Sequence, residues 1–155
     1  MTQLDERISV SGQISAEEVA DLAAGGVTLI VNNRPDGEEA GQPPGAAIAR
    51  AAQAAGVGYR HIPVAGAIRP EAVDAMAEAL DAAQGKVLAY CRSGTRSTYL
   101  WALARASRGA DVEELAARAA AAGYDLRALR PYLVRLPGSA APPPDRPRGP
   151  SGGSG

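Results

Sequence analysis

The apolar and polar positions of the chain fall into strand-like and helix-like stretches that alternate. Ile8-Ser9-Val10-Ser11 alternates with a period of two, which predicts a short strand with one buried face. Ser15 offers an N-cap and Glu17-Glu18 an acidic first turn, so a helix is expected to about residue 24, stopped by Gly25-Gly26. Val27-Thr28-Leu29-Ile30-Val31 is a continuous apolar and β-branched run, which predicts a strand buried on both faces. Residues 32–44 are polar and turn-rich and read as a loop. A helix is predicted over 46–55, ending at Gly56, then a strand over 59–64. A second long helix is predicted over 70–83, with Pro70 suited to its first turn. Val87-Leu88-Ala89-Tyr90 predicts another buried strand. Helices are expected over 97–107, with Leu100 and Trp101 in the core, over 111–122, closed by Gly123, and over 125–129. Strands alternating with helices predict an α/β fold, a central mostly parallel sheet flanked by helices. In such sheets ligands bind beyond the carboxyl ends of the strands, and Cys91 follows the strand ending at Tyr90.

Length and composition narrow the function classes. The 155 residues suit one domain, and 46% are hydrophobic, enough to close a core. No apolar run reaches membrane-spanning length. Sixteen basic residues balance seventeen acidic ones for a net charge of -1, which speaks against a nucleic-acid or membrane-surface partner. One cysteine excludes an internal disulfide, and one Cys with one His does not make a zinc site of the usual kind. No metal or cofactor is therefore expected. The first seven residues lack the basic-then-apolar pattern of a secretory leader, so a cytoplasmic location is the expectation. From Pro137 to Gly155, 14 of 19 residues are Pro, Gly or Ser. The expected organisation is a domain over 1–136 and a disordered tail over 137–155.

The chemistry concentrates in Tyr90-Cys91-Arg92-Ser93-Gly94-Thr95-Arg96-Ser97. A loop between a buried strand and a helix curls its N–H groups around an anion, and the helix N-terminus adds positive potential. Gly94 permits a positive φ or a close backbone approach. Arg96 offers a planar fork to an oxyanion. The same field favours thiolate at Cys91 and makes it a candidate nucleophile. Ser97 is expected to cap the helix and to hydrogen-bond the thiolate.

With those residues in place, the chain resembles the phosphatase-like domain of bacterial beta-lactamase-hydrolase-like proteins. The resemblance covers about residues 5–136. It rests on Val10-Ser11-Gly12-Gln13-Ile14, Asn33-Arg34-Pro35-Asp36-Gly37-Glu38, His61-Ile62-Pro63-Val64 and the Cys91 segment, four motifs in order. It implies a fold similar to the tyrosine and dual-specificity phosphatases, Cys91 as nucleophile and Arg96 as the anion-binding arginine. Such domains are named both as phosphatases and as sulfur transferases.

Spacing bears on the reaction. The tyrosine-phosphatase signature has five residues between Cys and Arg, whereas here there are four, Arg92 to Thr95, as in the rhodanese sulfurtransferase loop. Tyr90 stands where those phosphatases carry His. A smaller ring of N–H groups suits a persulfide or a compact sulfur oxyanion. A phosphatase also needs a general acid. The stretch 64–71 holds no Asp, and Glu71 reads as part of a helix first turn. Asp36 is a candidate acid, although Pro35-Asp36-Gly37 is also ordinary turn chemistry. Arg34 is read equally as a crevice residue or a surface one, Arg69 as a solvated arginine or a substrate contact, and His61 as a strand residue with its hydrogen bond satisfied. The favoured expectation is sulfur transfer through a Cys91 persulfide, with a small anionic sulfur donor and a thiol acceptor. The alternative is phosphoester hydrolysis through a Cys91 thiophosphate, and a third reading is a non-catalytic anion-binding module.

Overall fold

The computed structural model describes residues 1–136; the expected tail over 137–155 lies outside the described residues. Five strands form one sheet in the order β1-β2-β5-β3-β4. They are β1 (Thr2–Gln3), β2 (Ile8–Ser11), β3 (Val27–Asn32), β4 (Gly58–His61) and β5 (Lys86–Tyr90). Four of them are parallel; only the edge pair β1–β2 is antiparallel. The helices are α1 (Ala16–Ala24), α2 (Gly45–Ala54), α3 (Pro70–Ala82), α4 (Thr95–Ser107), α5 (Val112–Ala121) and α6 (Arg130–Leu133).

The sheet divides two hydrophobic cores, as the period of two along each strand requires. Val87 and Ala89 of β5 face a core shared with α3, α4 and α5, whereas Leu88 and Tyr90 face a core shared with α1 and α2. The result is a three-layer α/β arrangement with β5 at the centre. Helix α4 is buried on most of its surface: Leu100, Trp101, Ala102, Leu103, Ala104 and Ala106 are all in the core. Its Trp101 indole N–H donates to Asp5 Oδ2 at 2.8 Å, so the one polar atom of that ring is satisfied.

Local chemistry sets the element ends. Ser15 and Glu18 form the reciprocal capping box at α1. The strand predicted over 59–64 ends at His61 instead, because Pro63 has no N–H to donate. Ile62 and Val64 still donate to the carbonyls of Asn32 and Asn33, which carries the segment past the sheet edge. The run 27–31 is not buried throughout: Thr28 is exposed and Leu29 partly so, because β4 covers only the later part of β3. The helix expected over 125–129 is a pair of turns begun by Asp125, whose Oδ1 accepts from the Arg127 amide; the helix starts later, at Arg130, with Pro131 in its first turn. Helix α4 begins at Thr95, two residues before the predicted start, with Gly94 as its N-cap at φ +91°.

Candidate active site

Three loops at the carboxyl ends of β2, β3 and β5 converge. Gly12, after β2, lies so close to the Arg92 carbonyl that a Cβ there would stand 2.8 Å from it. Gly94 adopts its positive φ where Tyr124 closes over it, and the Tyr124 hydroxyl donates to the Ser93 carbonyl at 3.2 Å. No side chain fits that position without displacing Tyr124.

Within this loop Cys91 has no exposed surface, and the Gly94 amide donates to its sulfur at 3.0 Å. Burial pushes the thiol pKa up, but the amides of Ser97, Ser93 and Gly94 outweigh it and hold the thiol below its ordinary value. Ser97 is not the cap that was expected. It sits in the first turn of α4, fully buried, and donates to Asn33 Oδ1 at 2.7 Å. Asn33 in turn donates its side-chain N–H to the Ile62 carbonyl at 2.9 Å, so it ties the loops after β3, β4 and β5 together.

Arg96 is held from one side. Its Nη1 donates to Glu38 Oε2 at 2.8 Å and to the Val64 carbonyl at 2.9 Å, and its Nη2 to Glu38 Oε1 at 2.9 Å. Glu38, then the nearby Cys91 thiolate, push the Arg96 pKa further up. Glu38 itself is drawn down to about 2 by hydrogen bonds from Arg96 and Arg34. The question left open for Arg34 resolves to a buried position, 3% exposed. Its Nε donates to Glu38 at 2.8 Å, its Nη1 to Gln13 at 3.0 Å and its Nη2 to Glu39 at 2.8 Å.

The remaining expected residues divide. The backbone of Arg92, Ser93, Gly94 and Thr95 makes the turn around Cys91, but the Arg92 side chain is exposed and reaches only Glu39 at 3.7 Å. The Ser93 hydroxyl donates to Thr95 Oγ1 at 3.2 Å. Asp36 accepts from the Gly45 amide at 2.7 Å, which makes it a cap for α2. Arg69 stands in solvent with Glu71 as its ion-pair partner at 3.7 Å, away from the hydrogen bonds that build the loop. His61 Nε2 makes the hydrogen bond anticipated for it, with the Arg34 carbonyl at 3.0 Å. Tyr90 is buried in the α1–α2 core, and that burial raises its phenol pKa. Glu38 and Tyr124 were not singled out in the sequence. Both reach the loop from distant segments; Glu38 closes the Asn33-to-Glu38 motif, but no role was read for it there. Among the described residues, no group of three or more His, Cys, Asp or Glu side chains is placed to hold a metal ion.

A parallel sheet in this order, with a Cys-to-Arg turn between its central strand and a buried helix, is the architecture of tyrosine-phosphatase-like proteins. A protein named Tk-PTP shares it at TM-score 0.66 over 86% of this chain and 92% of that one, with 18% identity, a likeness of fold alone. Nearer in sequence is a candidate phosphatase of Neisseria meningitidis, 39% identical, covering 85% of this chain and 94% of that one at TM-score 0.74. The family model for the beta-lactamase hydrolase-like protein, phosphatase-like domain, matches residues 1–108, and the chain belongs to that family. A beta-lactamase hydrolase-like protein of Xylella fastidiosa is 37% identical over 137 residues, 87% of this chain and 32% of that protein. The chain thus spans about a third of the length of the curated relatives it matches. No helix among the described residues is long and apolar enough to cross a membrane.

Proposed function

We propose that Cys91 is the nucleophile of a sulfur transferase, with Arg96 and the loop amides holding the transferred group. The Cys91 thiolate attacks the outer sulfur of an anionic donor such as thiosulfate. The donor's S–S bond breaks, its electron pair leaves with sulfite, and the sulfur stays as a Cys91 persulfide. An acceptor thiolate then attacks the outer sulfur and leaves with it, which restores the Cys91 thiolate. The observation that carries this reading is the state of the carboxyls around the loop. Glu38 is held ionised between two arginines, Glu39 is paired with Arg34, and Asp36 is engaged at the Gly45 amide. Glu38 is thus no proton donor at neutral pH, and the other two carboxylates are already engaged with groups of the fold. An alkoxide leaving group needs such a donor, whereas sulfite and thiolates depart without one. The four-residue spacer between Cys91 and Arg96 supports the same reaction.

Phosphoester hydrolysis is the second reading, and the phosphatase-like fold of the relatives favours it. There the Cys91 thiolate would take the phosphoryl group and water would release it as phosphate. The hydroxyl beside the loop is that of Tyr124, but burial and the Cys91 charge raise its pKa, which makes it a reluctant acid.

Incubation with thiosulfate or glutathione persulfide should add about 32 Da to the intact protein, and Cys91→Ser should abolish the addition. A thiol acceptor should remove it. Steady Cys91-dependent release of phosphate from an aryl phosphate, with no sulfur adduct, would replace this reading by the second. Oxyanion binding with neither activity would indicate a binding module.

A further inference from the structure

We propose that Tyr124 is a positioning residue for the cysteine loop: its hydroxyl holds the Ser93–Gly94 peptide in the orientation that turns the Gly94 amide toward the Cys91 sulfur. The inference rests on the reading of Cys91 as the reacting thiolate.

Two hydrogen bonds grip the two ends of a single peptide group. The Gly94 N–H donates to the Cys91 sulfur at 3.0 Å. The Ser93 carbonyl, on the same peptide, accepts from the Tyr124 hydroxyl at 3.2 Å. No peptide bond among the described residues is cis, so this carbonyl and this N–H point in opposite directions. Tyr124 holds the oxygen outward and thereby aims the N–H inward. Among the described residues the Ser93 carbonyl accepts no other hydrogen bond.

The position needs such a lock. A flip of the peptide would carry the φ of Gly94 from +91° into the negative region, which glycine enters as readily. The flipped group would turn its carbonyl oxygen to the sulfur and favour the thiol over the thiolate. Arg96 of α4 and Tyr124 are the titratable groups among the described residues whose charge couples to that sulfur. Burial and then the Cys91 charge raise the Tyr124 pKa, so the phenol stays a neutral donor while Cys91 ionises.

A helix end delivers the phenol to this point. Gly123, at φ +96°, closes α5; its amide donates to the Ala120 carbonyl at 3.0 Å, and the Tyr124 amide donates to the Ala119 carbonyl at 2.8 Å. This paired closure fixes the direction of the residue after the glycine. Tyr124 packs there against the core that also surrounds α4. Residue 124 lies beyond 108, where the match of the family model ends, so the lock comes from outside the matched stretch.

The test follows the alkylation of Cys91 by iodoacetamide against pH in the full chain. Tyr124→Phe removes the hydroxyl and keeps the ring. Its inflection should lie about one pH unit above that of the wild type, the shift that follows when an amide bond to a thiolate is weakened. The position of the inflection is the readout, because a ring that merely shields the thiol changes the rate at every pH alike. Tyr132→Phe, which takes a hydroxyl from an exposed phenol, should leave the inflection unmoved. An inflection in Tyr124→Phe equal to that of the wild type would overturn the inference, and so would an equal rise in Tyr132→Phe. If Tyr124→Phe does not fold, nitrogen-15-labelled wild type decides by nuclear magnetic resonance. The Gly94 amide proton and the Tyr124 ring protons should then shift together as Cys91 ionises, and a Gly94 amide indifferent to that titration overturns the proposal. A distinct failure is a wild-type inflection at or above the free-thiol value of about 8.5, which would remove the thiolate and the inference with it. A wild type that carries no sulfur, yet shows the low inflection and its rise in Tyr124→Phe, would leave the inference standing and fault the transfer reaction alone.

Discussion

Cys91 sits between opposing effects, burial that favours the thiol and amide N–H groups that favour the thiolate, and the second prevails. The rate of its alkylation against pH should therefore inflect below the free-thiol value of about 8.5. An inflection at or above that value would contradict an activated sulfur. Gly94→Ala should cost about 1–3 kcal/mol in stability, because its φ of +91° strains any side chain and Tyr124 occupies the space; thermal melting measures it. Glu38 provides a pH signature of a different kind. Its folded pKa of about 2 lies below the ordinary 4.5, so the stability it confers is complete above about 4.5 and is lost as pH falls through about 2. The gap in melting temperature between the wild type and Glu38→Gln should be constant from pH 7 to about 5 and close below that. A gap that persists unchanged to pH 2 would contradict the ionised pairing.

Among the elements, the helix starts marked by a local cap or proline were the most legible features of the sequence, whereas α4 and α6 start elsewhere than expected. Ser15 and Glu18 declare α1 within four positions, and Pro70 declares α3. Asp36 is a cap of a longer range: it reaches nine residues forward to Gly45, and the sequence offered both a turn residue and an acid there. Asp36→Ala should lower stability by about 1 kcal/mol through the lost cap. It should leave the rate of sulfur uptake unchanged; a large fall in that rate would return Asp36 to a chemical role. Strand ends were read less well, since whether residues 62–64 pair depends on a neighbouring strand that the pattern does not reveal. The mostly parallel character of the sheet and the position of the cysteine turn at the end of a buried strand were legible from the alternation of strand and helix patterns; the strand order was not. The Glu38–Arg96 pairing was not, because it joins residues 58 apart and no local rule registers it.

The molecule as a whole depends on α4, which the larger core surrounds and from whose first turn the loop hangs. Leu100→Ala should cost about 2–5 kcal/mol, a large part of the roughly 5–15 kcal/mol that holds a domain folded. The fall in denaturation midpoint measures it, and a loss under about 1 kcal/mol would mean the site collapses readily around the gap. The chain spans about a third of the length of the longer relatives, and the described residues hold two hydrophobic cores. The complete enclosure of the Cys91 sulfur has a kinetic meaning. A reagent meets the thiol only during an excursion that opens the loop, so each modification rate is the product of an opening equilibrium and an intrinsic reactivity. Reagents of graded bulk then act as a ruler. The size at which the rate drops measures how wide the excursion becomes, and a donor that delivers a single sulfur atom asks for the narrowest one.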